Sequence, residues 1–242
     1  MTPTVTPSPT SIPLDHFECY KAKTSRGAPK FTPSPGITIV DHFGSMTVVA
    51  KKPTDLCNPA NVNGGEPTAP SDTEHGVGYQ IKPAAKFTKV LHQHVTNADF
   101  GTLFLDVIKP VRLVLPSAKS LISSPPALVS PHTDHFNCYK VKVSSGTAKF
   151  TAVPGVTVGD QFASQTLIVK KPTQLCVPAN VNNQEPGADT HAAGLLCYQV
   201  KLPKGAPKFT AVNPAFVNND FGPLTLTALK NEQLCVPAAI IP

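Results

Sequence analysis

Apolar and polar residues alternate along most of this chain, and nowhere do apolar residues recur at helical spacing. In Cys138-Tyr139-Lys140-Val141-Lys142-Val143, the apolar Tyr139, Val141 and Val143 share one face and Lys140 and Lys142 the other. Thr47-Val48-Val49-Ala50 and Thr166-Leu167-Ile168-Val169 are apolar on both faces, as an inner strand is. Each run leads into Lys-Lys-Pro (51–53 and 170–172), which is expected to stop pairing, because proline has no donor for a ladder and lysine discourages edge contacts. The pattern predicts four or five short strands per repeated unit and an all-β fold of sandwich or barrel type.

The alternation is itself repeated. Tyr20, Tyr79, Tyr139 and Tyr198 are separated by 59, 60 and 59 residues. Each is followed by Lys-Phe-Thr (Phe31, Phe87, Phe150, Phe209) and then by a second phenylalanine in a polar turn (Phe43, Phe100, Phe162, Phe221). A Leu-Cys-x-Pro ending closes the unit at Cys57, Cys176 and Cys235, whereas the second unit ends Leu113-Val114-Leu115-Pro116. Those three repeated positions hold 12 of the 16 aromatic residues, and a side chain recurring once per unit is expected to plug a core, not to form a ligand platform.

Cysteine spacing follows the same period. Cys19 and Cys57, Cys138 and Cys176, and Cys197 and Cys235 are each 38 residues apart. The second unit has Gly78 and Val114 at these places, losing both cysteines together. Joint loss is simplest if each bridge lies within one unit. Each bridge closes a loop of about 39 residues, worth roughly 4 kcal/mol in the chain-entropy view. A unit of about 45 residues is near the size where a lone core needs such staples, so the unstapled second unit should lean on the first. By alternation the cysteines point away from the Tyr/Leu face, and the bridges are expected to clasp the sheet from outside. Three bridges imply an oxidising compartment, and the absence of any Cys-x-x-Cys pair removes support for a zinc ribbon or a thioredoxin-type site.

Linkers divide the chain. Residues 59–74 resemble 178–190, while 117–133 resembles neither. Two two-unit β bodies are expected: 15–117, with units 15–59 and 74–117, and 134–242, with units 134–178 and 193–237, joined by a linker at 118–133. Residues 1–14 read as a Thr/Pro-rich extended spacer with no visible signal peptide, and the chain is expected to be a fragment of a longer exported protein.

Composition narrows the function. Hydrophobic residues make up 40 % of the chain, too many for whole-chain disorder, and no apolar run approaches the roughly 20 residues of a membrane-crossing helix. The net charge of +6 comes almost wholly from lysine, with Arg26 and Arg112 the two arginines. Arginine is the side chain that reads bases and forks onto phosphates, so nucleic acid is not expected, and weak attraction to acidic glycans is the functional reading of the lysines.

Asp-His-Phe-x-Cys-Tyr-Lys-x-Lys (15–23 and 134–142), Pro-Lys-Phe-Thr, Asp-Gln-Phe and Lys-Lys-Pro-x-x-Leu-Cys-x-Pro together resemble an uncharacterised domain found, usually in tandem, in predicted secreted or surface proteins of environmental bacteria. The resemblance covers 15–237 and implies extracellular placement but no activity. The second unit departs from the pattern in lacking both cysteines.

Sites of chemistry are sparse. His92-Gln93-His94 would face one way on a strand, but has no third ligand nearby in sequence. Asp15-His16-Phe17 and Asp134-His135-Phe136 have no nucleophile elbow beside them. The linker residues Asn61, Asn63 and Glu66, and Asn180, Asn182, Glu185 and Asp189, match no calcium-loop spacing, and turn capping is the expected role. No metal or cofactor is expected. The leading expectation is a non-enzymatic extracellular stalk, filament or adhesive array that contacts itself or surface glycans; the alternative is a secreted carbohydrate- or polyanion-binding module.

Overall fold

A computed structural model describes residues 14–241; the expected spacer falls, apart from Leu14, outside the described residues. The chain is almost entirely β, with no α-helix among the described residues. Each unit contributes two short strands and one long one. The first has β1 (His16–Thr24), β2 (Ser34–Asp41) and β3 (Gly44–Val62); the second, β4 (Glu74–Pro83), β5 (Val90–Asn97) and β6 (Gly101–Ser120). The third has β7 (Phe136–Val143), β8 (Val153–Gly159) and β9 (Ser164–Val181); the fourth, β10 (Ala193–Lys201), β11 (Val212–Asn219) and β12 (Gly222–Ile241).

The long strands run 19, 20, 18 and 20 residues, against the usual 3–10. Lys-Lys-Pro therefore does not end a strand. In β3 the register shifts between Ala50 and Lys52 and again between Pro53 and Asp55, while pairing with β4 continues. A bulge there bends the strand and leaves the proline without a ladder donor to lose. The same device passes each long strand from its own hairpin into a second layer of pairing: Pro53, Pro110 and Pro172 each stand opposite the tyrosine of the next unit.

The first and last strands of the units alternate around a closed circuit. β1 pairs with β3 and β12, β4 with β3 and β6, β7 with β6 and β9, and β10 with β9 and β12, all antiparallel. The remaining strands cross the circuit: β2 pairs with β3 and β9, β8 with β9 and β3, β5 with β6 and β12, and β11 with β12 and β6. Every strand thus has a neighbour on both sides over part of its length, the arrangement that removes open edges. In place of two separate bodies, pairing runs across the 118–133 linker through β6 and β7 and joins the start of the described chain to its end through β1 and β12. The second unit leans on the first through β3–β4, and on the third through β6–β7, as every unit leans on both its neighbours.

The bridges form within units, as Cys19–Cys57, Cys138–Cys176 and Cys197–Cys235. Each joins directly opposed residues of first and last strands. They do lie on the face opposite the tyrosines, but that face is the interior of the circuit and not an outside surface. The six cysteines pack with Phe17, Phe136 and Leu195 in one buried cluster, leaving a void of about 20 Å³ lined from all eight circuit strands. Closure of the sheet turns what alternation marks as an outer face into a core. The tyrosine faces form two larger cores, one around Tyr20 and Tyr79, the other around Tyr139 and Tyr198.

Candidate functional site

All four repeated tyrosines are fully buried. Each is clamped by two phenylalanines from other units. Tyr20 lies 5.2 Å from Phe162 and 4.6 Å from Phe209; Tyr79, 4.8 Å from Phe221 and 5.1 Å from Phe31. Tyr139 lies 4.9 Å from Phe43 and 5.1 Å from Phe87; Tyr198, 4.9 Å from both Phe100 and Phe150. One ring always comes from the turn of the diagonal unit and the other from the Lys-Phe-Thr segment of the preceding one. Such pairs add about 0.5–1.5 kcal/mol each beyond burial, and here they need three units to be present at once.

The turn residue before each second phenylalanine completes the clamp. Asp41, Asn97, Asp160 and Asn219 each accept the backbone N–H of their own turn phenylalanine, at 2.7–3.0 Å. Three of them also reach the diagonal tyrosine hydroxyl: Tyr139 donates to Asp41 at 2.6 Å, Asn97 donates to Tyr198 at 2.9 Å, and Asn219 donates to Tyr79 at 3.0 Å. The fourth pair differs. The Tyr20 hydroxyl has no hydrogen-bond partner, and around it the repeat is broken by polar residues.

Three side chains make that break, and the turn aspartate that the repeat itself supplies, Asp160, joins them. Glu18 on β1 stands where β7 has Asn137, and it is wholly buried. Asn58, also wholly buried, faces Glu18 across β1–β3; it fills the x of Leu-Cys-x-Pro, which is valine in Val177 and Val236. Lys119 on β6 pairs with Val217, where Val62, Val181 and Ile240 occupy the matching places of the other long strands. Asp160 opens the β8–β9 turn. Lys119 Nζ donates to Asn58 Oδ1, Asn58 Nδ2 donates to Asp160 Oδ2 at 2.8 Å, and the lysine nitrogen lies 4.1 Å from the centre of the Phe162 ring. Glu18 Oε1 accepts from Asn231 and, at 3.2 Å, from Gln165, while its Oε2 has no partner. Burial, with Asp160 nearby, pushes the Glu18 carboxyl up to about 8. Burial also brings the Lys119 amine down to about 7 against the pull of Asp160. A neutral acid, an amine that gives up its proton near neutrality, an amide and a carboxylate thus meet beneath one aromatic ring.

A second off-repeat feature fills the fourth bridge position. Gly78 stands directly opposite Val114 where the other units have cystine, and Arg112 crosses there to place Nε 2.7 Å from the wholly buried Asp55. The always-charged guanidinium opposes the burial that raises the Asp55 carboxyl.

The Asp-His-Phe histidines are clasps. His16 bridges Glu66 at 2.7 Å and Asp99 at 2.8 Å; His135 bridges Glu185 at 2.9 Å and Asp220 at 2.8 Å. His135 is pulled up to about 9 by these carboxylates against the effect of burial. Linker asparagines cap: Asn61 and Asn180 accept the backbone N–H of Glu66 and Glu185, while Asn63 and Asn182 accept those of Thr157 and Thr38 on crossing strands. His92 and His94 flank Phe104, His94 stacking on it at 4.7 Å. Among the described residues no group of three His, Cys, Asp or Glu side chains could hold a metal ion, and no helix is long and apolar enough to cross a membrane.

The repeat pattern marks Asp160 as part of a recurring polar turn and assigns no site role to Glu18, Asn58 or Lys119. The signal was available: Asn58 is polar where its repeat partners are valine, and Lys119 sits in an otherwise apolar register. Comparison with protein-family models, with curated proteins and with solved structures found no match, so the resemblance to a tandem surface-protein domain rests on the motifs themselves.

Proposed function

We propose that this chain is a non-enzymatic extracellular structural protein, a rigid bead of a stalk, filament or adhesive surface array. The observation that carries this reading is the four aromatic clamps, each assembled from three units, which make the molecule a single braced body. The central void of about 20 Å³ holds little more than one water molecule. Three disulfides suit an oxidising exterior. Because every strand is flanked, assembly would proceed through surfaces or chain ends and not by strand addition. Electron microscopy and light scattering over a concentration series test this: ordered fibres or arrays are the expected outcome, and a strictly monodisperse monomer at every concentration overturns it.

A second reading has its own observation. Lys21 stands directly opposite Lys230, and Lys109 opposite Lys140, all exposed. Like charges so placed repel unless an anion lies between them. Beside Lys109, an open surface concavity of about 880 Å³ also presents Lys82, Lys86 and Lys89. An acidic polysaccharide is the fitting occupant. Salt-sensitive retention on such a column, lost in a Lys109→Gln/Lys140→Gln variant, is expected if this face binds; retention unchanged by the variant removes the reading.

A further inference from the structure

We propose that Lys119 and Asn58 condense to an intramolecular isopeptide bond, with Asp160 carrying the proton. Lys119 Nζ already hydrogen-bonds the Asn58 side-chain carbonyl oxygen, one bond from the carbon it would attack. Asp160 Oδ2 accepts from the Asn58 nitrogen that would leave, at 2.8 Å. The reacting groups are held together by three units, since Asn58 is on β3, Lys119 on β6 and Asp160 at the β8–β9 turn. Such positioning removes most of the entropic barrier to a bimolecular step.

The environment suits the chemistry. An amine beside an aromatic ring and a wholly buried amide is poorly solvated, which favours the uncharged, nucleophilic form. The Lys119 nitrogen adds to Asn58 Cγ, and one of its protons passes to Asp160. Asp160 then delivers that proton to the Asn58 nitrogen as the carbon–nitrogen bond to it breaks. One amide replaces another, one ammonia departs, and nothing is oxidised or reduced. Glu18, whose unpartnered oxygen lies buried beside this site, stays neutral and spares the site a second carboxylate charge. Departure of ammonia past the half-buried Lys119 makes the step one-way.

Two features of the chain argue for this bond over an ordinary polar contact. Asn58 and Lys119 each replace an aliphatic residue of the repeat, and they do so as a facing pair. The bond would also tie β3 to β6, and so join the first unit to the second, the unit that carries no disulfide. Pro59 follows Asn58 and has no backbone N–H, so asparagine's usual ammonia-losing ring closure onto the next residue is not open here.

The test is the mass of the full chain after denaturation, reduction and alkylation. The wild type is expected one ammonia lighter than its sequence, with a branched peptide joining the segments around Asn58 and Lys119. Lys119→Val and Asn58→Val, each installing a residue that the repeat already uses at that place, should fold and restore the unmodified mass. Asp160→Asn, the residue found at Asn97 and Asn219, should fold and fail to form the bond. A folded wild type at full mass after prolonged incubation overturns the proposal, as does an ammonia loss that persists in Lys119→Val. Bond formation undiminished in Asp160→Asn overturns the role given to Asp160. Mass reads the bond and microscopy reads assembly, so this proposal and the structural function can fail separately.

Discussion

The second and third units share a backbone plan and solve it with opposite chemistry. In the third, Cys138 is bonded to Cys176 across β7–β9; in the second, Gly78 faces Val114 across β4–β6 and an arginine–aspartate pair crosses beside them. Glycine is required there, because a Cβ on Gly78 would lie 2.6 Å from Arg112 Cδ. Four residues before the repeated tyrosine, His135 is clasped by two carboxylates and raised, whereas His75 is buried with neither ring nitrogen partnered and is driven far down by burial. Tyr139 donates to a carboxylate, while Tyr79 meets an amide. The difference teaches that strand geometry is set by the pairing circuit and the aromatic clamps, which are common to both units, and that covalent or ionic fastening is interchangeable within that frame.

The contrast can be broken hardest at Arg112. Arg112→Met leaves the Asp55 charge buried without a cation, and about 3–5 kcal/mol of stability should be lost, read from the urea midpoint. Cys138→Ala with Cys176→Ala is expected to cost roughly 2–4 kcal/mol; a loss near zero by the same measurement would mean that the circuit alone holds the third unit. Tyr139→Phe removes one of three donors to the buried Asp41, leaving Asn137 and the Phe43 N–H, and should cost about 1.5–3 kcal/mol because the acceptor is a carboxylate, against roughly 1 kcal/mol for Tyr79→Phe beside a neutral amide. Equal losses would show that the two clamps are not chemically distinct.

The smallest effect is with pH. His135 binds its proton more tightly in the folded chain, about 9 against 6.5 in the free side chain. Its contribution is therefore complete below about 6.5 and declines as pH rises through about 9. The partners Glu185 and Asp220 are partly exposed, so the decline should be on the order of 1–2 kcal/mol. Melting temperatures between these pH values should fall in the wild type and fall less steeply in His135→Gln, whereas His75→Gln should leave the slope nearly unchanged because His75 is uncharged in the folded chain throughout.

Local chemistry determined the strands, the period, the within-unit bridges and the residues that recur. Alternation has period two whatever the fold, and joint loss of two cysteines needs no coordinates to interpret. It could say which residues shared a face, such as Cys138 opposite Tyr139, but not which face would be enclosed, because that depends on β1 meeting β12 across more than 200 residues. The same limit hid the exchange between diagonal units, since the partner of Tyr20 is Phe162 and not any neighbour in sequence. Lys119 and Asn58 are legible one at a time as departures from the repeat, and Asp160 as its ordinary turn residue; only closure of the sheet brings an amine, an amide and a carboxylate from three units into one contact.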